Sequence, residues 1–480
     1  MTSNKNCAPL LTKERCAYAV VVLLLVVHAV GILNPYFGFD ESGQFFISKG
    51  LNHYSLPYAP ASGIADVVYS NAHYNLDPGG FSLLLYVWSL FSNASYWLRI
   101  LPFLFFVGYV ILVERILKRI THDGFFSLLA CGIIVTVHTS MPTNLRPYSM
   151  EMFFTVLVCY LALLVKLKKD LWFYWTISIC SAIAITSRYS ILPTVSLFIV
   201  ALLFRMYREH LFSWSRVTSL LFFVLIVGIC ILMFSLQHQM GKNTINSNYN
   251  ELYISTNPKR LLTWWWIPVG LSIFYLWNNR KKEKRDDSLV RFTWVFLLMN
   301  CFFIITSIIQ IHPWGMKKCG SLNALMPIQL FLMLWYFLNG WKYLKSLMMV
   351  TLTACSVVLI VSVKYPKHWN QKEYTFSDFF GFEPTEGKVF VGQFSESRVR
   401  YLFEYGCLQS QQRAYGYPST FYFQTAIPHV TTNYFAEVEK LYFSKDKQWA
   451  DSCSTFMDVE QYIINDQHLQ KLDADIYTRK

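Results

Sequence analysis

Eleven stretches of this chain are long, apolar and nearly free of charge, and they restrict its folding more than any other feature. They run at about 17–33, 97–114, 124–141, 149–165, 171–187, 191–205, 217–236, 262–278, 291–311, 321–339 and 346–363. A helix needs roughly 20 apolar residues to cross about 30 Å of hydrocarbon, so each run reads as a membrane-spanning helix. Composition supports this: 54% of the 480 residues are apolar, 15% are charged, and the mean hydropathy is +0.32. Soluble domains carry about a quarter charged residues and spread their apolar ones at period 2 or 3.6. A soluble enzyme, a disordered chain and a disulfide-rich secreted module are thereby excluded. The formal charge of +13 does not indicate nucleic acid, because the basic residues lie between the apolar blocks rather than on one face or tail. The eleven cysteines form no CxxC pair. Cys131, Cys159, Cys180, Cys230 and Cys301 lie inside apolar blocks and read as small buried hydrophobes.

The first run lacks a small-residue cleavage pattern and leads straight into Asn34-Pro35-Tyr36, so it reads as a retained span. Placing the N-terminus in the cytoplasm puts twenty Lys and Arg on inner segments and nine on outer ones, which satisfies the positive-inside bias. The alternation requires that 79–91 does not cross. At about 13 residues it suits an interfacial or re-entrant helix. Three outer elements follow: the loop 34–96, the loop 237–261 and the tail from 364. The tail balances 13 basic against 15 acidic residues and carries turn glycines and a strand-like Lys388–Val391, so it reads as a small soluble domain. The expected fold is an all-α polytopic membrane protein of about 11 transmembrane helices over 1–363, with a mixed α/β extracytoplasmic domain at 364–480. Cys407 and Cys453 fall on the oxidising side, where a disulfide and two free thiols fit equally well.

The outer loop 34–96 holds the residues that structure explains least. Asp40 and Glu41 stand side by side just beyond the first span, and Asp66, His73 and Asp77 follow before the interfacial helix. Carboxylates here can act as a general base or hold a divalent cation. They also fit plainer roles: Asp40 as a helix N-cap, Asp77 as the opening of a turn at Pro78. Cations gather at the outer helix ends as well. Arg99 starts the second span, Arg146 precedes the fourth, Arg188 precedes the sixth, and Lys317 and Lys318 precede the tenth. They run against the positive-inside bias. Snorkelling to headgroups would accommodate any one of them, whereas a bound phosphate accounts for all together.

These motifs resemble the opening of the GT-C membrane glycosyltransferases. The resemblance rests on Asp40-Glu41 after the first span, on Asp77-Pro78-Gly79-Gly80 with its helix, and on Arg99-Ile100-Leu101-Pro102. Later come Arg146-Pro147-Tyr148, Arg188-Tyr189 with Pro193, and Lys317-Lys318 with Pro327. It covers roughly 10–340, and its nearest branch is the bacterial relatives of protein O-mannosyltransferases and lipid A aminoarabinose transferases. It implies that Asp40 is the catalytic base with Glu41 beside it, and that Arg188, Lys317, Lys318 and Arg146 contact the donor phosphate. Asp77, with Asp66 and His73 in the same loop, is the candidate second acidic or metal-binding position, and a divalent metal ion is the one cofactor implied.

The activity implied is transfer of a sugar from a polyprenyl-phosphate donor to a hydroxyl of a lipid, polysaccharide or protein acceptor. It would take place on the extracytoplasmic face of a bacterial inner membrane, with inversion, among membrane lipids and without nucleic acid. Tyr36, Phe37, Tyr69, Tyr74 and Trp314 would serve either as sugar-stacking rings or as an interfacial aromatic belt. A transporter or flippase of lipid-linked sugars is the main rival, and a glycan polymerase or ligase is another. Transport predicts inverted repeats and ionisable residues near the midplane, whereas this chain shows no repeat and places its ionisable residues at outer helix ends.

Overall fold

The computed structural model of the chain describes residues 13–33, 39–50, 63–75, 77–138, 141–236, 266–280, 287–308 and 320–362, together with five short strands between 388 and 479. Each of the eleven apolar runs contains a helix within its described residues. They are α1 (Lys13–Val30), α5 (Ser95–Thr121), α6 (Gly124–Val137), α7 (Tyr148–Cys159), α8 (Leu171–Ser187), α9 (Ile191–Arg208), α10 (Trp214–Ile231), α11 (Trp266–Asn279), α12 (Asp287–Ile308), α13 (Gly320–Leu338) and α14 (Leu344–Ser362). Between α1 and α5 lie three shorter helices, α2 (Phe39–Ser48), α3 (Ile64–Tyr74) and α4 (Gly80–Ser89). The last is ten residues long, in keeping with a segment too short to cross. Among the described residues, seven helices are long and apolar enough to span a membrane. The others among the eleven are shorter: α6, α8, α11, and α7 with its extension to Leu164. The chain is a multi-pass, mostly helical membrane protein.

Two compact units make up the chain: Met1–Ile32, Leu76–Phe81 and Arg99–Lys364 form the first, and Leu33–Asn75, Ser82–Leu98 and Tyr365–Lys480 the second. In the first unit α13 is the central helix, with 61% of its apolar window buried, whereas α10 buries 17% and α14 22%. Outer helices therefore present Leu225, Ile229, Val357 and Val361 outward, as a lipid-facing surface allows. This corrects the reading of two cysteines: Cys230 and Cys301 are exposed on α10 and α12, while Cys131 and Cys159 are buried. An apolar block says that a position avoids water, and lipid meets that requirement as well as a core does. Polar side chains join the central helices. Gln329 on α13 donates through Nε2 to Ser272 on α11 at 2.7 Å and to Thr293 on α12 at 3.1 Å, all three fully buried.

In the second unit a buried polar chain ties the short helices together. Gln44 of α2 donates to Ser82 of α4, and Ser82 donates to Asn71 of α3, at 2.8 and 2.7 Å. The corner between α4 and α5 is closed by two tryptophans. Each indole N–H donates to the other residue's carbonyl, Trp88 to Trp97 at 2.8 Å and Trp97 to Trp88 at 3.0 Å, and the rings stack 4.6 Å apart at 8°. The tail strands β1 (Lys388–Gly392), β2 (Tyr422–Phe423), β3 (Lys440–Ser444), β4 (Leu469–Asp473) and β5 (Ile476–Arg479) form one sheet in the order β2-β1-β3-β5-β4. Pairing is parallel for β1 with β2 and β3, and antiparallel for β5 with β3 and β4. Cys407 and Cys453 lie outside the described residues.

Candidate functional site

The first unit brings three charged residues far apart in sequence to one place. Asp77 precedes the turn into α4, Glu151 lies in the first turn of α7, and Arg188 caps α8. Arg188 Nε donates to Asp77 Oδ1 at 3.2 Å and Nη1 donates to Glu151 Oε2 at 3.3 Å. Glu151 is fully buried, and its other oxygen accepts from Ser190 Oγ at 2.6 Å and from the Ser321 backbone N–H at 3.1 Å. That last bond satisfies one of the orphan donors at the N-terminus of α13, so a carboxylate from α7 caps a helix 170 residues away in sequence. Gly320 permits it: a Cβ there would fall onto the Glu151 carboxylate.

Local sequence explains the corners. Arg188 is extended, with φ −154° and ψ 151°, and only Tyr189 and Ser190 follow before α9 opens. Pro193 stands in the first turn of α9, where its missing N–H has no partner to lose. In the Asp77 turn, Gly79 has φ 106° and Gly80 packs so closely on Thr186 of α8 that a Cβ would overlap it. Ser235 lies in the π turn Leu232–Leu236 that continues α10, and it donates to the Pro78 carbonyl at 3.0 Å, holding the same turn.

Burial alone would lower the Arg188 pKa, but the carboxylates of Asp77 and Glu151 outweigh it and raise it, so the guanidinium is permanently charged. Burial and the Asp77 charge push the Tyr189 phenol up, which keeps it a proton donor. The Arg188 guanidinium lies 4.8 Å from the Tyr148 ring centroid, and Arg146 lies 6.0 Å from the same ring. Two guanidiniums thus share one aromatic ring beside two carboxylates.

Four of the other sequence candidates, Asp40, Glu41, Asp66 and His73, belong to the second unit. Asp40 is the second residue of α2, in its first turn. Its side chain lies outside what the structure describes; the neighbouring Glu41 is buried. Asp66 and His73 both belong to α3, where His73 Nδ1 donates to the Tyr69 carbonyl at 2.8 Å and its ring stacks on Tyr69 at 3.9 Å. Arg99 is buried and donates to the Thr143 carbonyl at 2.6 Å, which ties α5 to the loop before α7. Lys317, Lys318, Tyr36, Phe37 and Trp314 lie outside the described residues. Among the described residues no three His, Cys, Asp or Glu side chains converge as metal ligands, so no donor set for the expected divalent cation is found there.

Comparison with solved structures finds a likeness to the arabinosyltransferase EmbB of Mycobacterium smegmatis, determined by single-particle cryo-EM. The TM-score is 0.44 and the identity 12%, over 69% of this chain and 31% of that one. This chain therefore spans about a third of that protein's length. It matches no protein-family model and no curated protein.

Glu151 is the member of the cluster that sequence reasoning missed. A signal was present: it is the sole carboxylate in the apolar run 149–165, and an ionisable residue within a span marks function or a specific partner. Chemically the cluster offers a positioned, desolvated guanidinium with a second one close by. Such a cation can meet negative charge that develops on a substrate with no reorganisation of its own.

Proposed function

We propose that this chain is a membrane glycosyltransferase. It moves a sugar from a polyprenyl-phosphate carrier to an acceptor hydroxyl on the extracytoplasmic face, with inversion, in a membrane spanned by all eleven helices. The observation that carries the reading is Arg188, fixed between Asp77 and Glu151 at the ends of helices beside Arg146. It accords with the sequence resemblance, which gave Arg188 and Arg146 to the donor phosphate.

In the reaction an acceptor oxygen attacks the anomeric carbon. The new C–O bond forms as the bond to the carrier phosphate breaks, and the phosphate leaves with the electron pair. Asp40 takes the hydroxyl proton. Arg188 and Arg146, with Lys317 and Lys318, offset the charge gained by the departing phosphate. Because Asp77 and Glu151 neutralise much of the charge beside Arg188, geometry matters there as much as charge: the two carboxylates aim the fork.

The test is release of carrier phosphate by membranes supplied with a polyprenyl-phosphate sugar. Arg188→Lys keeps the cation but loses the fork, and a charge-assisted hydrogen bond contributes about 1.5–3 kcal/mol. A fall of roughly ten- to a hundredfold is therefore expected at unchanged protein level. Wild-type rates in Arg188→Lys would show that the cluster only holds helices together.

A further inference from the structure

A second charged feature lies at the other end of α7. Glu151 opens that helix, and Tyr160 begins the wide π turn Tyr160–Leu164 that continues it, nine residues on or about 14 Å along the axis. There Tyr160 lines a cleft of about 420 Å³ with Arg115, Lys118, Arg119, His122 and Ser288. The four basic residues come from the last two turns of α5 and just beyond. Their spacing of 115, 118, 119 and 122 is i, i+3, i+4, i+7, which places them on one stripe. Tyr160 and Ser288 add hydroxyls from two other elements.

Among the described residues, positive charge outweighs negative in this cleft. Glu114 is the carboxylate paired with these cations among the described residues, 3.7 Å from Arg115 and 3.9 Å from Lys118. Arg119 donates to the Leu164 carbonyl at 3.1 Å, a neutral partner that fixes its position and leaves its charge. His122 ends α5 in the left-handed region, with φ 55°, where glycine is the usual residue.

We propose that this cleft is a binding site for a phosphate group, separate from the Asp77–Arg188–Glu151 cluster and independent of the activity assigned to it. Guanidinium forks and an ammonium suit a tetrahedral, multiply charged oxyanion, and two hydroxyls and an imidazole complete its donors. The phosphate comes either from an anionic lipid headgroup of the leaflet at this end or from a soluble phosphate.

The experiment uses the full chain in phosphatidylcholine nanodiscs. One arm adds phosphatidylglycerol and counts retained lipid by native mass spectrometry; the other titrates inorganic phosphate and follows thermal unfolding. Arg115→Gln/Lys118→Gln changes two exposed side chains and spares Arg119, so folding is not at stake. His122→Gly removes the ring while relaxing the backbone. Lys166→Gln/Lys168→Gln/Lys169→Gln is the control, since it removes one more positive charge than the double variant from a loop outside the cleft. The expected result is at least a tenfold loss of one probe in the double variant, a weaker loss in His122→Gly with no fall in unfolding temperature, and a control within twofold of wild type. Loss of phosphatidylglycerol alone assigns the site to a headgroup, and loss of inorganic phosphate to a soluble ligand. Binding of neither probe, or equal loss in the control, overturns the proposal.

Discussion

Glu151 and Asp40 make opposite demands at the scale of single residues. Glu151 is held by three elements at once: Arg188, Ser190 and the N-terminus of α13. Glu151→Gln keeps an oxygen to accept from Ser190 and Ser321 but removes the charge that Arg188 meets. The expected outcome is an inserted protein whose donor KM rises while kcat changes less, read from initial transfer rates across donor concentrations. Glu151→Ala leaves the α13 donor and the buried cation short of a partner, and should cost about 3–5 kcal/mol of stability in thermal unfolding. Asp40→Asn preserves size, and general-base catalysis contributes 10²–10⁴, so a fall of at least about a hundredfold is expected. Retention of more than about half the wild-type rate would move the base to another carboxylate. Glu41→Gln should be milder.

Asp123 links the starts of α6 and α14. It caps α6 by accepting from the Phe126 N–H at 3.0 Å, and its other oxygen meets Lys345 at the start of α14 at 2.6 Å. Burial would raise its pKa, but Lys345 and the Phe126 and Phe125 N–H groups outweigh that and lower it. A depressed folded-state pKa gives stability that is present above the unfolded carboxylate value and lost as pH falls through the folded one. Asp123→Ala should therefore cost about 1 kcal/mol at neutral pH, as cap removal does. Its deficit relative to wild type should shrink in strongly acidic buffer, as followed by circular dichroism of the detergent-solubilised protein. A constant deficit across that range would mean that the charge has no part in the cap.

For the whole molecule, the charge alternation predicts that the tail is extracytoplasmic. An alkaline phosphatase fusion at Lys480 should be active and a fluorescent protein fusion dim; the reverse would remove the assigned topology and the mechanism with it. Much of this architecture was legible in sequence, because a hydrocarbon solvent leaves a chain few choices. The run 171–187 coincides with α8, and the short segment before α5 is a separate ten-residue helix. What burial alone cannot specify was less legible. Cys230 and Cys301 face outward, because an apolar helix has no polar stripe to show which side meets protein. Arg188 and Asp77 were both visible as candidates, but their meeting depends on a contact 111 residues apart. Glu151 was less legible because it lies inside an apolar run, apart from the outer loop that holds the other acidic candidates.

The tryptophan clasp between α4 and α5 has an optical consequence. Two indoles held 4.6 Å apart couple their electronic transitions, so their absorption and circular dichroism depart from the sum of two isolated rings. The other tryptophans of the chain's 15 add a broad background. Trp88→Phe would remove that coupling while leaving most of the emission intact. That one corner can thus be watched by its own spectral signature, without a label, in a membrane.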